Sequence, residues 1–275
     1  MNPHTQHPIS LHKLLASFWL NRQLIAQMTK RDAVGRYKGS FMGLLWSFLN
    51  PIFMLAVYTF FFSVIFKSRW PGGSESKTEF ALILFAGLMI FNLFSECVNK
   101  APDLVISNAN YVKKIIFPLE ILPIITLGSA AFHMLMSLCV WIIFYIIFFG
   151  VPDVTILLLP VILIPFFLFT LGIGWFIASL GVYLRDLSQI ITPITMALMF
   201  LSPIFYPIDV LPKALKDIVR LNPITFAVEQ ARHVMIFGKS IEWSEWIIFF
   251  SVSLTIAWLG FAWFQKTRKG FADVL

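Results

Sequence analysis

Charged side chains are missing from six long blocks of this chain, residues 41–66, 80–95, 121–152, 154–184, 187–208 and 246–265. Backbone in hydrocarbon must bond its N–H and C=O groups internally, so an uncharged block long enough to cross a bilayer is read as a helix. A helix rises about 1.5 Å per residue and a hydrocarbon core is about 30 Å thick, which asks for roughly 20 apolar residues. Only 80–95 falls short. It gains length by taking in Cys97 and Val98 beyond Glu96, because a carboxylate near a helix end can reach the interface. The composition agrees, with 59% hydrophobic and 13% charged residues, against about 25% charged in soluble domains. The expectation is an all-α membrane protein with spans at about 41–66, 80–98, 121–149, 154–184, 187–206 and 246–265. Six crossings put both termini on one side.

The distribution of cations says which side. Residues 1–40 carry Lys13, Arg22, Lys30, Arg31, Arg36 and Lys38 against Asp32 alone, and short basic segments stay in the cytoplasm. Lys100, Lys113, Lys114 and Arg185, with Lys266, Arg268 and Lys269 in a tail at 266–275, fall on the same side. No cleavable signal peptide is visible, since the first long apolar run begins only at Phe41. Before it, Leu11, Leu14, Leu15, Phe18, Trp19, Ile25 and Met28 recur at helical spacing, which predicts an amphipathic helix along the inner membrane surface. Gly35, Gly39 and Gly43 then form a small-residue stripe where another helix could approach closely. On the same turns Arg36, Tyr37 and Lys38 sit at headgroup depth, and Arg31 lies one turn earlier. These four are candidates to meet a lipid phosphate.

Two connections stand out. The inward loop 99–120 contains "SNANYVKKIIFP" and reads as a short helix between Pro102 and Pro118, mixing apolar Val105, Ile106, Tyr111 and Ile115 with Lys113 and Lys114. Such an element suits either docking or a simple interfacial role. The outward segment 207–245 holds two helical stretches broken at Asn222 and Pro223 and closed by Gly238, the pattern of a re-entrant hairpin. Pro51, Pro123, Pro160, Pro165, Pro193, Pro203 and Pro207 lie inside the uncharged blocks. Each interior proline frees a carbonyl that a neighbouring helix or water must satisfy, which fits a transport pathway better than a passive anchor.

Catalytic patterns are absent from the sequence. Gly238, Lys239 and Ser240 resemble the end of a phosphate-binding loop, but His233 stands where the earlier glycine belongs. Cys97 and Cys139 have no metal-ligand spacing and read as packing residues. His133 is the one ionisable residue deep in a span; a lone histidine there is read as bonded to a neighbouring helix, and coupled proton carriers bury carboxylates as well. Tyr58 and Phe62 are four residues apart and share a helix face, so they could offer flat apolar surfaces to sugar rings.

Three segments together resemble the transmembrane subunit of ABC-type polysaccharide exporters, the permeases for lipid-linked O-antigen, capsule or teichoic acid chains. They are "TKRDAVGRYKGSFMGLLWSFLNPI" at 29–52, "SNANYVKKIIFPLEILPI" at 107–124 and "LSPIFYPIDVLPKALKDIVRLNPITFAVEQARHVMIFG" at 201–238. The resemblance implies one half of a homodimeric pore in the bacterial cytoplasmic membrane, working with two copies of a separate ATPase subunit. ATP and magnesium would then bind that subunit, and this chain would need no cofactor or metal of its own. It would be no enzyme. Its other partners would be the lipid-linked polysaccharide and membrane lipids, with no nucleic acid. The 107–117 segment would be the coupling helix, with Asn108, Asn110, Tyr111, Lys113, Lys114 and Phe117 as ATPase-coupling residues. Arg31, Arg36, Tyr37 and Lys38 would stand where the lipid headgroup enters, and Tyr58 and Phe62 would line the channel. Pro203, Tyr206, Pro207, Asn222 and Pro223 would form the outer gate. A permease for drugs or lipids, a membrane transferase and a secondary carrier are the competing readings.

Overall fold

The computed structural model describes residues 11–61, 70, 77–114 and 117–275, with the side chains of 11–15, 77 and 112–114 outside the description. Among the described residues the chain is helical throughout and contains no strand. Its helices are α1 Leu11–Leu20, α2 Arg22–Gly35, α3 Trp46–Tyr58, α4 Lys77–Lys100, α5 Ala109–Lys114 and α6 Leu122–Phe149. They continue as α7 Leu159–Tyr183, α8 Leu187–Leu201, α9 Lys213–Arg220, α10 Pro223–Met235, α11 Trp243–Thr267 and α12 Phe271–Val274. Five helical runs are long and apolar enough to cross a membrane: Gly43–Phe61, Thr78–Lys100, Leu119–Phe149, Val154–Tyr183 and Trp243–Val274. These correspond to five of the six expected spans, and the last continues through what reads in sequence as a tail.

The span expected at 187–206 is shorter. Helix α8 stops at Leu201 after 15 residues, about 22 Å of rise, because Ser202 turns to an extended conformation ahead of Pro203. The N-terminal amphipathic helix is also interrupted, at Asn21, whose side chain bonds back to the Ser17 carbonyl at 2.8 Å. The glycine stripe behaves differently from its spacing. Gly39 and Gly43 have φ of 90° and 51°, in the left-handed region that glycine adopts without a Cβ penalty. They turn the chain from α2 into α3, and among the described residues nothing but their own chain neighbours and helix backbone comes within 4 Å of where a Cβ would stand at Gly35, Gly39 or Gly43. The close helix contact expected along that stripe is not made among the described residues.

Helix α4 is the core of the bundle. In its most apolar stretch 83% of residues are buried, against 11% in that of Gly43–Phe61, so α4 is wrapped by protein while α3 shows Phe53 and Met54, and the turn after it Phe60 and Phe61, to their surroundings. Packing against α4 come α6, α10, α8 and α7. The tightest pairing is α7 with α11. A Cβ on Gly172 would fall 2.5 Å from the carbonyl oxygen of Ile256 and 2.8 Å from the Cα of Ala257, and one on Gly260 would meet the Gly172 carbonyl. The two backbones touch with no side chain between them, the arrangement that replaces hydrophobic drive when helices associate in lipid. Cys97 is buried as expected, whereas Cys139 is exposed on α6, a correction to its reading as a packing residue.

Proline breaks are answered locally. Pro165 inside α7 leaves the carbonyl four residues earlier without its helical donor, and the Trp246 indole N–H takes that carbonyl, Val161, at 3.0 Å. Replacing Gly172 with valine forces α7 and α11 apart, an overpacking of about 1–3 kcal/mol. The expected outcome is a lower thermal midpoint for the purified protein in detergent, whereas Gly150→Ala, with open space around it but φ of 84°, should have the smaller effect of backbone strain alone.

Candidate functional site

At the end of the bundle where α2 meets the end of α4, Glu96 near the end of α4 collects partners from its own helix, from α6 and from the residue that follows α2. Its Oε1 lies 2.7 Å from Arg36 Nη2 and 3.1 Å from Lys100 Nζ. Its Oε2 lies 2.9 Å from His133 Nδ1 on α6. Lys100 reaches on to Asp32 of α2 at 3.2 Å, and the Tyr37 ring stands edge-on to His133 at 6.0 Å. Glu96, expected to reach the interface from the end of its helix, has a side chain 14% exposed and is met by protein partners there. The expectation that His133 bonds a neighbouring helix holds, with Glu96 as its partner.

The four headgroup candidates therefore divide. Tyr37 is buried against His133 and Arg36, though exposed, bonds Glu96, while Arg31 and Lys38 are exposed and make no contact with that group. Arg31, Arg36, Lys100 and Asp32 help line a cavity of about 390 Å³ between α2, the end of α4 and the start of α6. Asn108, from the candidate docking segment, also lines it.

That segment is a 3₁₀ turn over Ile106–Asn108 followed by α5, shorter than the helix expected between Pro102 and Pro118. Val105 is fully buried and so does not project. Asn108 bonds the Leu104 carbonyl at 2.8 Å, Asn110 is exposed, and Tyr111 stacks on Phe117 with centroids 4.5 Å apart. The side chains of Lys113 and Lys114 lie outside the described residues. Beyond Phe117 the chain is anchored by Glu120, whose Oε2 is 2.6 Å from Arg268 Nη1 and whose Oε1 accepts from Ser17 at 3.1 Å. Arg268 also donates to the Phe117 carbonyl at 2.9 Å. One carboxylate thus ties α1, the exit of the α5 segment and the end of α11 together.

At the opposite end, the candidate gate residues cluster around a residue that sequence reasoning missed. Arg232 on α10 is 1% exposed, and its guanidinium donates to the carbonyls of Ile83 at 3.1 Å, Ile204 at 2.7 Å and Pro203. Glu229 lies 2.9 Å away, and the Trp70 ring faces Arg232 at 4.5 Å. A Cβ on Gly87 would stand 2.7 Å from Arg232 Nη2, so α4 is glycine where the guanidinium passes. The fork of N–H donors meets the carbonyls exposed where the chain breaks after α8. Asn222 joins the same place: its Nδ2 donates to Ser202 Oγ at 2.9 Å and its Oδ1 caps α10 through the Ile224 N–H at 3.0 Å, with Pro223 at the first helical position. Tyr206 donates to the Phe200 carbonyl at 3.2 Å, and Pro207 precedes a 3₁₀ turn at Ile208–Val210. Of the channel aromatics, Tyr58 packs against the core and Phe62 lies outside the described residues. Residues 238–240 form no phosphate loop, since α11 begins only at Trp243 and no strand precedes them.

The only sequence signal for Arg232 was its position, a cation in the apolar face of a helix between two uncharged blocks. Glu96 and Glu120 gave the same kind of signal, each a carboxylate at the edge of a span.

An all-helical bundle with five apolar helices of crossing length among the described residues is a multi-pass membrane protein in class. The chain belongs to the ABC-2 type transporter family, whose model matches residues 23–236. It is 26% identical over 254 residues to the O-antigen export system permease protein RfbA of Klebsiella pneumoniae, covering 92% of this chain and 95% of that protein. The Myxococcus xanthus protein of the same name is 24% identical over 263 residues, covering 95% and 98%. The capsule polysaccharide export inner-membrane protein CtrC of Neisseria meningitidis serogroup A is 24% identical over 274 residues, covering 94% and 97%.

Substituting Arg232 with methionine keeps much of the volume but leaves the Pro203 and Ile204 carbonyls and Glu229 without their donor, a loss of about 3–5 kcal/mol. The expected result is protein that inserts but is cut readily by an external protease near 202–223, with a thermal midpoint well below that of Arg220→Met, an exposed control.

Proposed function

We propose that this chain is the membrane-spanning subunit of an ATP-driven exporter of lipid-linked polysaccharide, O-antigen in the first instance, across the bacterial cytoplasmic membrane. The observation that carries this is its near full-length likeness to O-antigen export permeases from two genera. A capsular polysaccharide is the second reading, favoured by the likeness to CtrC. Drug, lipid or teichoic acid export and a secondary carrier draw less support.

In this reading the chain performs no chemistry; ATP and magnesium are bound by two copies of a separate ATPase subunit. The permease pairs with a second copy of itself, and the open apolar surface of α3 and α8, with Phe53, Ile194, Met196 and Phe200 exposed, is available to lipid and to that copy. Six crossings with both termini inside remain the preferred topology. In its favour, Thr195 of α8 bonds Asn99 near one end of α4 while Pro203 and Ile204, just past α8, share Arg232 with Ile83 near the other. A re-entrant course for residues 207–245 draws support from Asn222 bonding Ser202 at the start of α10 and Thr155 Oγ1 bonding the Val234 carbonyl at 2.7 Å near its end.

The parts then take roles. Residues 1–40 lie at the inner interface, 41–265 form the transmembrane domain, and the 99–120 loop presents Asn108, Asn110, Tyr111, Lys113, Lys114 and Phe117 to the ATPase. Arg31, Arg36, Tyr37 and Lys38 receive the lipid headgroup. Tyr58 and Phe62 line the path, and Pro203, Tyr206, Pro207, Asn222 and Pro223 gate it at the outer side. ATP-driven closure of the ATPase pair pushes α5, and the bonds from Glu120 to Ser17 and Arg268 carry that displacement to the first and last helices.

The test is purification of the tagged chain from membranes in mild detergent with an ATPase assay on the complex. A co-purifying ATPase subunit in equal amount is expected, and a chain that emerges alone and inactive would remove the ABC reading. In the assembled complex, reversing charge at Lys113 and Lys114 to glutamate should leave insertion intact and abolish most polysaccharide export. Unchanged export would rule out the docking role.

A further inference from the structure

The cavity between α2, the end of α4 and the start of α6 has a mixed lining. Arg31, Arg36 and Lys100 bring three cations to it, offset by Asp32, and Leu104, Leu122 and Ile125 add apolar surface. Its volume of about 390 Å³ suits the head and first carbons of an amphiphile. It opens beside α2, the helix next to the exposed Trp19 and Leu20, side chains suited to the membrane interface. Such a lining fits an anionic headgroup with an apolar chain.

The cations are not idle. Arg36 is held at 2.7 Å and Lys100 at 3.1 Å by a single oxygen of Glu96, and Lys100 is shared with Asp32. The second oxygen of Glu96 faces His133 at 2.9 Å. A carboxylate that binds an arginine and a lysine at one oxygen does what a phosphate oxygen would do in the same place. Unlike a fixed structural pair, this one is partly open: the Arg36 side chain is 46% exposed and that of Lys100 is 35% exposed. When those cations turn toward the cavity, Glu96 keeps His133 and is not left alone in a low-dielectric setting.

We propose that Glu96 is an internal counterion, holding Arg36 and Lys100 until a phosphate-bearing amphiphile enters the cavity and takes them by exchange. This rests on the exporter reading and deepens it. It makes Glu96, Lys100 and Asp32 part of the entry site, with His133 the residue that positions Glu96. The exchange sets affinity: the headgroup gains two charge-assisted contacts but must displace a carboxylate, so binding is weakened in a way that lets a substrate leave again.

Two sources share this chemistry, an isoprenyl pyrophosphate carrying a glycan and an anionic phospholipid of the bilayer. The test uses the full-length chain in nanodiscs of phosphatidylcholine, with geranylgeranyl pyrophosphate titrated as probe, geranylgeraniol as the neutral control and phosphatidylglycerol in the disc as competitor. Binding is read by native mass spectrometry. Glu96→Gln removes the competing charge, and the probe should bind about fivefold tighter than to the unaltered chain; Asp32→Asn, at a more exposed position, should tighten it less. Arg36→Gln should weaken it about tenfold. If Glu96 were merely a structural tie for the cations, its replacement would weaken binding or leave it unchanged, and that result overturns the proposal. Should the Glu96 variant fail to fold, Asp32→Asn decides alone, with no tightening as the contrary result. Equal retention of the pyrophosphate and the neutral alcohol would also overturn the proposal while leaving the export reading to the ATPase co-purification. Tight binding displaced by phosphatidylglycerol supports exchange with a bilayer lipid, and binding that resists it supports exchange with a lipid-linked substrate.

Discussion

A carbonyl that loses its helical donor in hydrocarbon has no water to turn to, and the architecture follows from how each such group is met. Where Pro165 interrupts α7, the Trp246 indole of α11 supplies the missing N–H. Where the chain breaks after α8, three donors of Arg232 close the gap between Pro203, Ile204 and α4. Trp141 and Trp175 donate in the same way to the carbonyls of Leu82 and Glu120. The large side chains with a polar tip therefore act as cross-helix donors in the core, and the pattern of contacts is set as much by these tips as by apolar area.

Charge is rationed on the same principle. The bundle keeps its buried ions at its two ends, where a few bonds each satisfy several groups. At the end where α2 meets the end of α4, Glu96 serves Arg36, Lys100 and His133, and Glu120 serves Ser17 and Arg268. These two carboxylates flank the segment containing α5, so a push on that short helix meets a tethered surface and not a loose loop. A displacement there is shared with α1, α4, α6 and α11 together.

Much of this was legible in the residues. Uncharged length gave five crossing helices nearly to their ends, because nothing but a helix can hide backbone in lipid. Proline and asparagine gave the break at 222–223, since Asn222 caps and Pro223 starts a helix in any context. What failed had a tertiary cause. The stripe of Gly35, Gly39 and Gly43 has helical spacing, yet positive φ at two of them makes a turn, and spacing says nothing of φ. Among the glycines that do admit a backbone, Gly172 and Gly260 sit on two helices 88 residues apart, where no local pattern joins them. Ion partners were lost for the same reason: Arg36 and Glu96, or Glu120 and Arg268, meet only once the helices are packed. A single charge at the edge of an apolar run was the one hint, and such a charge does not name its partner across the bundle.

The Arg232 fork has a mechanical meaning. By bonding α10 to Ile83 on α4 and to the chain just after α8, with Trp70 over its outer face, it welds four stretches of sequence into one slab. Swinging α10 away by itself would strand the Pro203 and Ile204 carbonyls and pull the guanidinium off Ile83 and Trp70 at once, a cost that a thermal fluctuation does not cover. These stretches therefore move as one body, and a change of shape at this end is a tilt of the whole group instead of the bending of a single helix.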